Sequence, residues 1–152
     1  MAAAKKSYFS EGGETPLLEK TIWEHFSGVV ARFPDNDAVV SIPQSRRLSY
    51  AEFFEAASKL ARGLIGSGFC KGDRIGIWAT NNIEWLLLQM ATACIGAVLV
   101  NINPAYRPKE LEYVLKSSEI QGLFVIPSFR SSNYVKMLLG LMPELKEAGW
   151  AR

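Results

Sequence analysis

Apolar residues recur along this chain at the spacing of helices, then of strands, in an order that repeats. In "TIWEHFSGVVARF", Ile22, Phe26, Val29, Val30 and Phe33 fall at i, i+4, i+7, i+8 and i+11, one face of an amphipathic helix. Thr21 and Glu24 have capping-box spacing at its start, and Pro34 with Asp35 closes it. "DAVVSI" followed by "PQSRRLSY" predicts a β-hairpin around Pro43 to Arg46. Ser49 and Glu52 form a second capping box, and Leu48 stands where it can staple onto Phe53. The helix they start is expected to bury Phe53, Ala56, Ala57, Leu60, Ala61 and Leu64.

The glycines of "GLIGSGFCKGDRIGIWATNNIEW" raise the question of a phosphate-cradling loop. Such loops run strand, glycines, helix, because free amides and the positive dipole end lie at a helix N-terminus. Here Gly66 and Gly68 follow a helix and precede a strand, so they are expected to supply a left-handed cap and turn the chain. "RIGIWA" is then a strand, with Asn81 or Asn82 capping an apolar helix from Glu84 to Ile95 that Gly96 ends. "AVLVNI" makes a second strand and "PKELEYVLKSSE" a helix with Pro108 in its first turn and Leu111, Val114 and Leu115 inward. "GLFVI" is the third strand, "PSFRSSN" a loop, and "YVKMLLGLM" the last helix. Right-handed crossovers fold this β-α-β-α-β-α order into an α/β, three-layer architecture: a mostly parallel sheet flanked by helices, with a small N-terminal β-hairpin. The expected organisation is a flexible arm over residues 1–14, an α/β unit over 15–145, and a tail or truncation end over 146–152.

Composition narrows the chemistry. The chain has 152 residues, 49% apolar and 21% charged, which suits one globular domain. Seventeen Lys and Arg stand against fifteen Asp and Glu, with no basic stripe, so nucleic acid is not an expected partner. Two cysteines without paired spacing and a single histidine, His25, supply neither a zinc set nor a Ser/Cys–His–Asp site; no metal ligand or catalytic residue is assigned. "MAAAKKSYFSEGG" lacks the apolar core of a secretory signal, and Trp85 to Ile102 is interrupted by Gln89, Thr92 and Asn101, so no transmembrane segment is expected. These features predict a reducing, cytoplasmic setting.

Three loops leave the carboxyl ends of the expected strands, at Thr80–Asn82, Asn101–Arg107 and Pro127–Asn133. A pocket there would draw on Asn81, Asn82, Asn101, Asn103, Tyr106, Arg107 and Arg130, and arginine suits phosphate or carboxylate through its planar fork. The plainer alternative makes the asparagines caps and turn residues and the arginines solvated charges.

In order and spacing, "LSYAEF" (48–53), "GFCKGDRIGIWATNNIEW" (68–85) and "ATACIGAVLVNINPAYRPKELEYVLKSSE" (91–119) closely resemble the N-terminal region of adenylate-forming enzymes, specifically fatty-acyl-CoA synthetases of the medium- to long-chain type. "LSYAEF" resembles the superfamily's first core motif and "GAVLVNINP" occupies the place of its second, while "NPAY" with "ELEYVLK" favours the acyl-CoA ligase branch over peptide-synthetase adenylation domains. The resemblance runs from about Thr15 to Leu145 and implies a partial N-terminal subdomain of such an enzyme. What it implies in function is ATP-dependent, Mg²⁺-assisted activation of a fatty acid as an acyl-adenylate, then thioester formation with coenzyme A. By position it places the coenzyme A nucleotide at Asn103, Pro104, Ala105 and Arg130, with "NPA" standing where the family has a small glycine-containing loop. The family's Ser/Thr/Gly-rich phosphate loop, adenine segment, Mg²⁺-binding glutamate, hinge and C-terminal lysine do not occur in this sequence. The resemblance therefore implies a chain that is inactive alone and partners the remainder of a ligase. Two other classes of reading are a stand-alone α/β module for a small anionic ligand and an interaction module that self-associates through exposed apolar surface.

Overall fold

Local capping sets most of the element boundaries in the computed structural model, which describes residue 13 and residues 17–146. The rest of the expected arm and tail lies outside the described residues. Thr21 opens α1 (Ile22–Arg32) through a capping box, its hydroxyl accepting from Glu24 N and the Glu24 carboxylate accepting from Thr21 N at 2.8 Å. β1 (Asp37–Ser41) and β2 (Arg46–Ser49) pair antiparallel as the expected hairpin, tied across by the Arg47–Asp37 ion pair. Ser49 caps α2 (Tyr50–Gly66) in the second box, with Glu52 N donating to Ser49 Oγ at 3.2 Å.

The end of α2 differs in detail from expectation. Gly66 stays helical, and the left-handed position falls to Gly68 at φ +93°. Phe69 N donates to Leu64 O and Gly68 N to Ile65 O, the paired bonds of a Schellman motif, which needs its positive φ one residue beyond the cap. β3 (Arg74–Trp78), α3 (Ile83–Ile95), β4 (Val98–Ile102), α4 (Pro108–Ser118) and β5 (Gly122–Val125) follow as anticipated. The segment expected to be a loop contains a short ribbon, β6 (Ser128–Phe129) against β7 (Ser132–Asn133), before α5 (Tyr134–Leu141) and a final 3₁₀ turn, Pro143–Lys146.

The main sheet is parallel with strand order β4-β3-β5, so the first strand lies in the middle. Alternation along β3 sends Ile75 and Ile77 to a core shared with Ala61, Leu64, Leu88 and Ala91 of α2 and α3. Trp78 faces the opposite core, with Leu111 of α4 and Tyr134 and Leu138 of α5. Helices cover both faces, giving three layers. α1 packs outside α2 and α3 by its aromatic side, where Trp23 stacks on Phe54 at 4.8 Å and Phe26 meets Phe53 edge-on. That contact turns the helix, so Phe26 is buried while Ile22 (63% exposed) and Phe33 (42%), expected on the same face, remain open.

Candidate functional site

β3 and β4 end side by side, and Trp78 pairs in register with Ile102. The chain then enters the Asn103–Arg107 loop, whose polar groups are largely satisfied from within. Asn103 Oδ1 accepts from Ala105 N at 2.9 Å, and Asn103 O accepts from Tyr106 N at 3.1 Å. Two side chains grip the loop from beneath. Trp78 Nε1 donates to Asn103 O at 3.0 Å, and Tyr134 Oη donates to Pro104 O at 2.5 Å. Their rings lie parallel, 3.5 Å apart at 4°, and both residues are fully buried. Burial pushes the Tyr134 phenol up from its ordinary value, so the hydroxyl remains a donor throughout the neutral range.

The Ser128–Asn133 ribbon carries Arg130 at its turn, with φ +51° and its guanidinium 5.1 Å from the centre of the Phe129 ring. It is joined to the loop twice, by Arg107 Nη1 donating to Ser132 Oγ at 2.8 Å and through Tyr134, which directly follows the ribbon. Arg107 is thus a strut between the two segments. Arg130 makes no ion pair among the described residues.

The residues expected in one pocket divide among four places. Asn81, Asn101 and Asn103 line an open depression of about 600 Å³ with Thr80, Trp85 and Pro104. Asn82 belongs to the α3 N-terminus, where its side chain accepts from Trp85 N at 2.7 Å. Tyr106 packs against the core around Trp78, and Arg107 and Arg130 lie with the ribbon.

The α3 N-terminus is closed from a distance. Gln44, at the hairpin turn, accepts from Ile83 N at 2.8 Å and donates to Glu84 Oε2 at 2.7 Å, while Arg46 reaches Glu84 Oε1 at 3.3 Å. Burial pushes the Glu84 carboxyl up, but the Gln44 amide, its own backbone N–H and Arg46 outweigh that and hold it below the ordinary carboxylate range. With two amides already engaged, this terminus is a poor anion site despite its position at a strand end.

On the α2–α3 side an apolar cavity of about 720 Å³ opens beside β5, lined by Ala56, Leu60, Ile77, Leu87, Phe124 and Ile126, with Lys59 and Glu84 at its edge. Sequence reasoning missed Gln44, Trp78 and Tyr134. The one available signal was the amphipathic ring of Trp and Tyr, which takes a partner for its N–H or O–H when buried.

Comparison with known proteins follows the same outline. The model of the AMP-binding enzyme family matches residues 26–150. The medium-chain acyl-CoA ligase ACSF2, mitochondrial, of Rattus norvegicus is 38% identical over 142 residues, covering 93% of this chain and 23% of that protein. YngI of Bacillus subtilis, provisionally named an acyl-CoA synthetase, is 42% identical over 132 residues, covering 87% of this chain and 24% of its own length. The crystal structure of the N-terminal domain of FACL13 from Mycobacterium tuberculosis, solved with an inhibitor bound, superposes with a TM-score of 0.68 at 27% identity, covering 70% of this chain and 27% of that one. The chain thus spans about a quarter of the length of the curated relatives it matches. Its fold, its motif order and the family match over residues 26–150 agree: the chain belongs to the AMP-binding enzyme family.

Proposed function

We propose that this chain forms the N-terminal α/β wall of an ATP-dependent fatty-acid:coenzyme A ligase, with the Asn103–Ala105 loop and Arg130 receiving the nucleotide end of coenzyme A. The observation that carries the reading is the 38% identity to a medium-chain acyl-CoA ligase over 93% of this chain. In that reaction the carboxylate attacks ATP to give acyl-adenylate and pyrophosphate, and the coenzyme A thiol then displaces AMP to give the thioester. The proposal assigns ATP and Mg²⁺ to other segments of the ligase, since the family's phosphate loop, Mg²⁺-binding glutamate and C-terminal lysine do not occur in these 152 residues. It leaves the chain without turnover of its own.

The loop suits one part of coenzyme A better than another. The Asn103 and Pro104 carbonyls point to Trp78 and Tyr134, and the Ala105 and Tyr106 amides are bonded within the loop. It therefore offers no free backbone amide at those positions to a phosphate. What it presents is the half-buried Pro104 ring and the exposed Ala105 methyl, an apolar surface for an adenine face. Phosphate charge falls to Arg130, whose fork suits it. Calorimetric titration of the full-length ligase with coenzyme A tests this: Arg130→Ala weakens binding about tenfold or more, the loss of one charge-assisted hydrogen bond. Unchanged affinity would sink the assignment.

The expected cytoplasmic setting is also part of the proposal. No helix among the described residues is long and apolar enough to cross a membrane, while the Rattus norvegicus relative is named as mitochondrial. Fluorescence microscopy of the tagged protein separates the two compartments. The open cavity beside β5 favours one further role, as a seat for another apolar surface.

A further inference from the structure

We propose that Trp78 and Tyr134 are positioning residues for coenzyme A, a stacked pair that grips the Asn103 and Pro104 carbonyls and holds the loop and the Arg130 ribbon in one fixed relation. The inference rests on the reading that this loop and Arg130 meet the nucleotide. Neither side chain reaches the surface, so neither touches ligand.

Three observations carry it. First, the pair sits in a core whose other buried members, Ile102, Leu111 and Leu138, are all aliphatic. A core needs no polar atoms there, and aliphatic residues fill such space without needing partners. Both aromatic side chains nevertheless bring one donor each, and the two donors go to consecutive carbonyls of one loop. Second, Tyr134 is anchored at the ribbon's base, since its N–H donates to Pro127 O at 3.0 Å, while its hydroxyl reaches Pro104, 30 residues earlier. One residue thus spans the two segments that carry the nucleotide assignment. Third, Arg107 to Ser132 repeats the connection at the exposed end. The ribbon has only two pairs of residues in its ladder, and Phe129 packs it onto the same core that holds the stacked pair.

The physical consequence is preorganisation. A ligand that touches the loop with its base and Arg130 with its phosphate binds in proportion to how well their separation is fixed beforehand. Rigid stacking with two aligned donors fixes it without occupying the surface.

The test compares wild type, Arg130→Ala, Tyr134→Phe and the double variant of the full-length ligase by calorimetric titration with coenzyme A. Tyr134→Phe keeps the stacked ring and volume and removes only the hydroxyl. It is expected to weaken binding about five- to tenfold and to add nothing in the Arg130→Ala background, the non-additivity of groups that act together. Trp78→Phe changes affinity in the same direction. In hydrogen exchange, Tyr134→Phe speeds the Ala105 and Tyr106 amides and the 128–133 ribbon together. If Arg130→Ala weakens binding while Tyr134→Phe leaves affinity unchanged, or adds its full effect to the double variant, positioning is overturned and the coenzyme A reading stands. Faster exchange in one segment only also overturns it. No binding by wild type, or equal binding by wild type and Arg130→Ala, removes the reading itself, and the positioning role with it.

Discussion

Gln44 closes a helix that begins 39 residues later in the chain, and the pH dependence of that contact is open to measurement. The Glu84 carboxyl that Gln44 and Arg46 hold is kept below its ordinary value of about 4.3. A depressed carboxyl contributes stability in full above its unfolded pKa and loses it as pH falls through the folded one. On acidification below about pH 4.3 the hairpin tip should therefore loosen from α3, seen as a lower protection factor at Ile83 N–H and a shift of the Arg46 side-chain NMR signals. Glu84→Gln removes that pH dependence of protection; a protection factor that stays flat across that range in the wild type would contradict the account. Thr21, Ser49 and Asn82 were legible as caps because their partners lie three residues on. Gln44, Trp78 and Tyr134 were not, because each bonds to backbone 25 or more residues away, and no local pattern encodes that.

At the scale of elements, the period of the apolar residues located every main helix and strand, and the capping residues located most of their ends. Periodicity does not fix how an amphipathic helix is rotated against its neighbours. α1 shows this, where aromatic packing on Phe53 and Phe54 took precedence over the Ile22–Phe33 stripe. Nor does it find a ribbon two residues long on each side, too short to show alternation. The junction between α2 and β5 is tight in a way that only packing shows. A Cβ at Gly122 would lie 2.4 Å from Cζ of Phe69, the residue whose backbone N–H closes the Schellman turn. Gly122→Ala should cost about 1–3 kcal/mol in urea denaturation through overpacking. Gly63→Ala, in α2 with nothing within 4 Å, is the matched control and should stabilise by about 0.5–1 kcal/mol. Equal midpoints for the two variants would contradict this packing.

For the whole molecule, the alternation of strands and helices led to a parallel sheet covered on both faces. The order β4-β3-β5 did not follow from it, because apolar runs identify strands without naming their neighbours. That order has functional weight: it sets the reversal of strand order between β3 and β5, beside which the 720 Å³ apolar cavity opens. Asn103 and Pro104 lie at the other junction, past the ends of β3 and β4, while Arg130 follows β5 at the turn of the ribbon, so the cavity and the depression occupy different parts of the same sheet end. The charged and polar residues read as one pocket thus all lie toward that end, in separate groups.

The most direct test of the central claim is to replace the matching stretch of the Rattus norvegicus acyl-CoA ligase with residues 17–146 and follow thioester formation from a medium-chain fatty acid, ATP, Mg²⁺ and coenzyme A. The account predicts acyl-CoA from the hybrid, with AMP and pyrophosphate released in equal amounts, and none from the 152-residue chain on its own. A folded hybrid that forms acyl-adenylate but no thioester, or thioester formation by the chain itself, would contradict it.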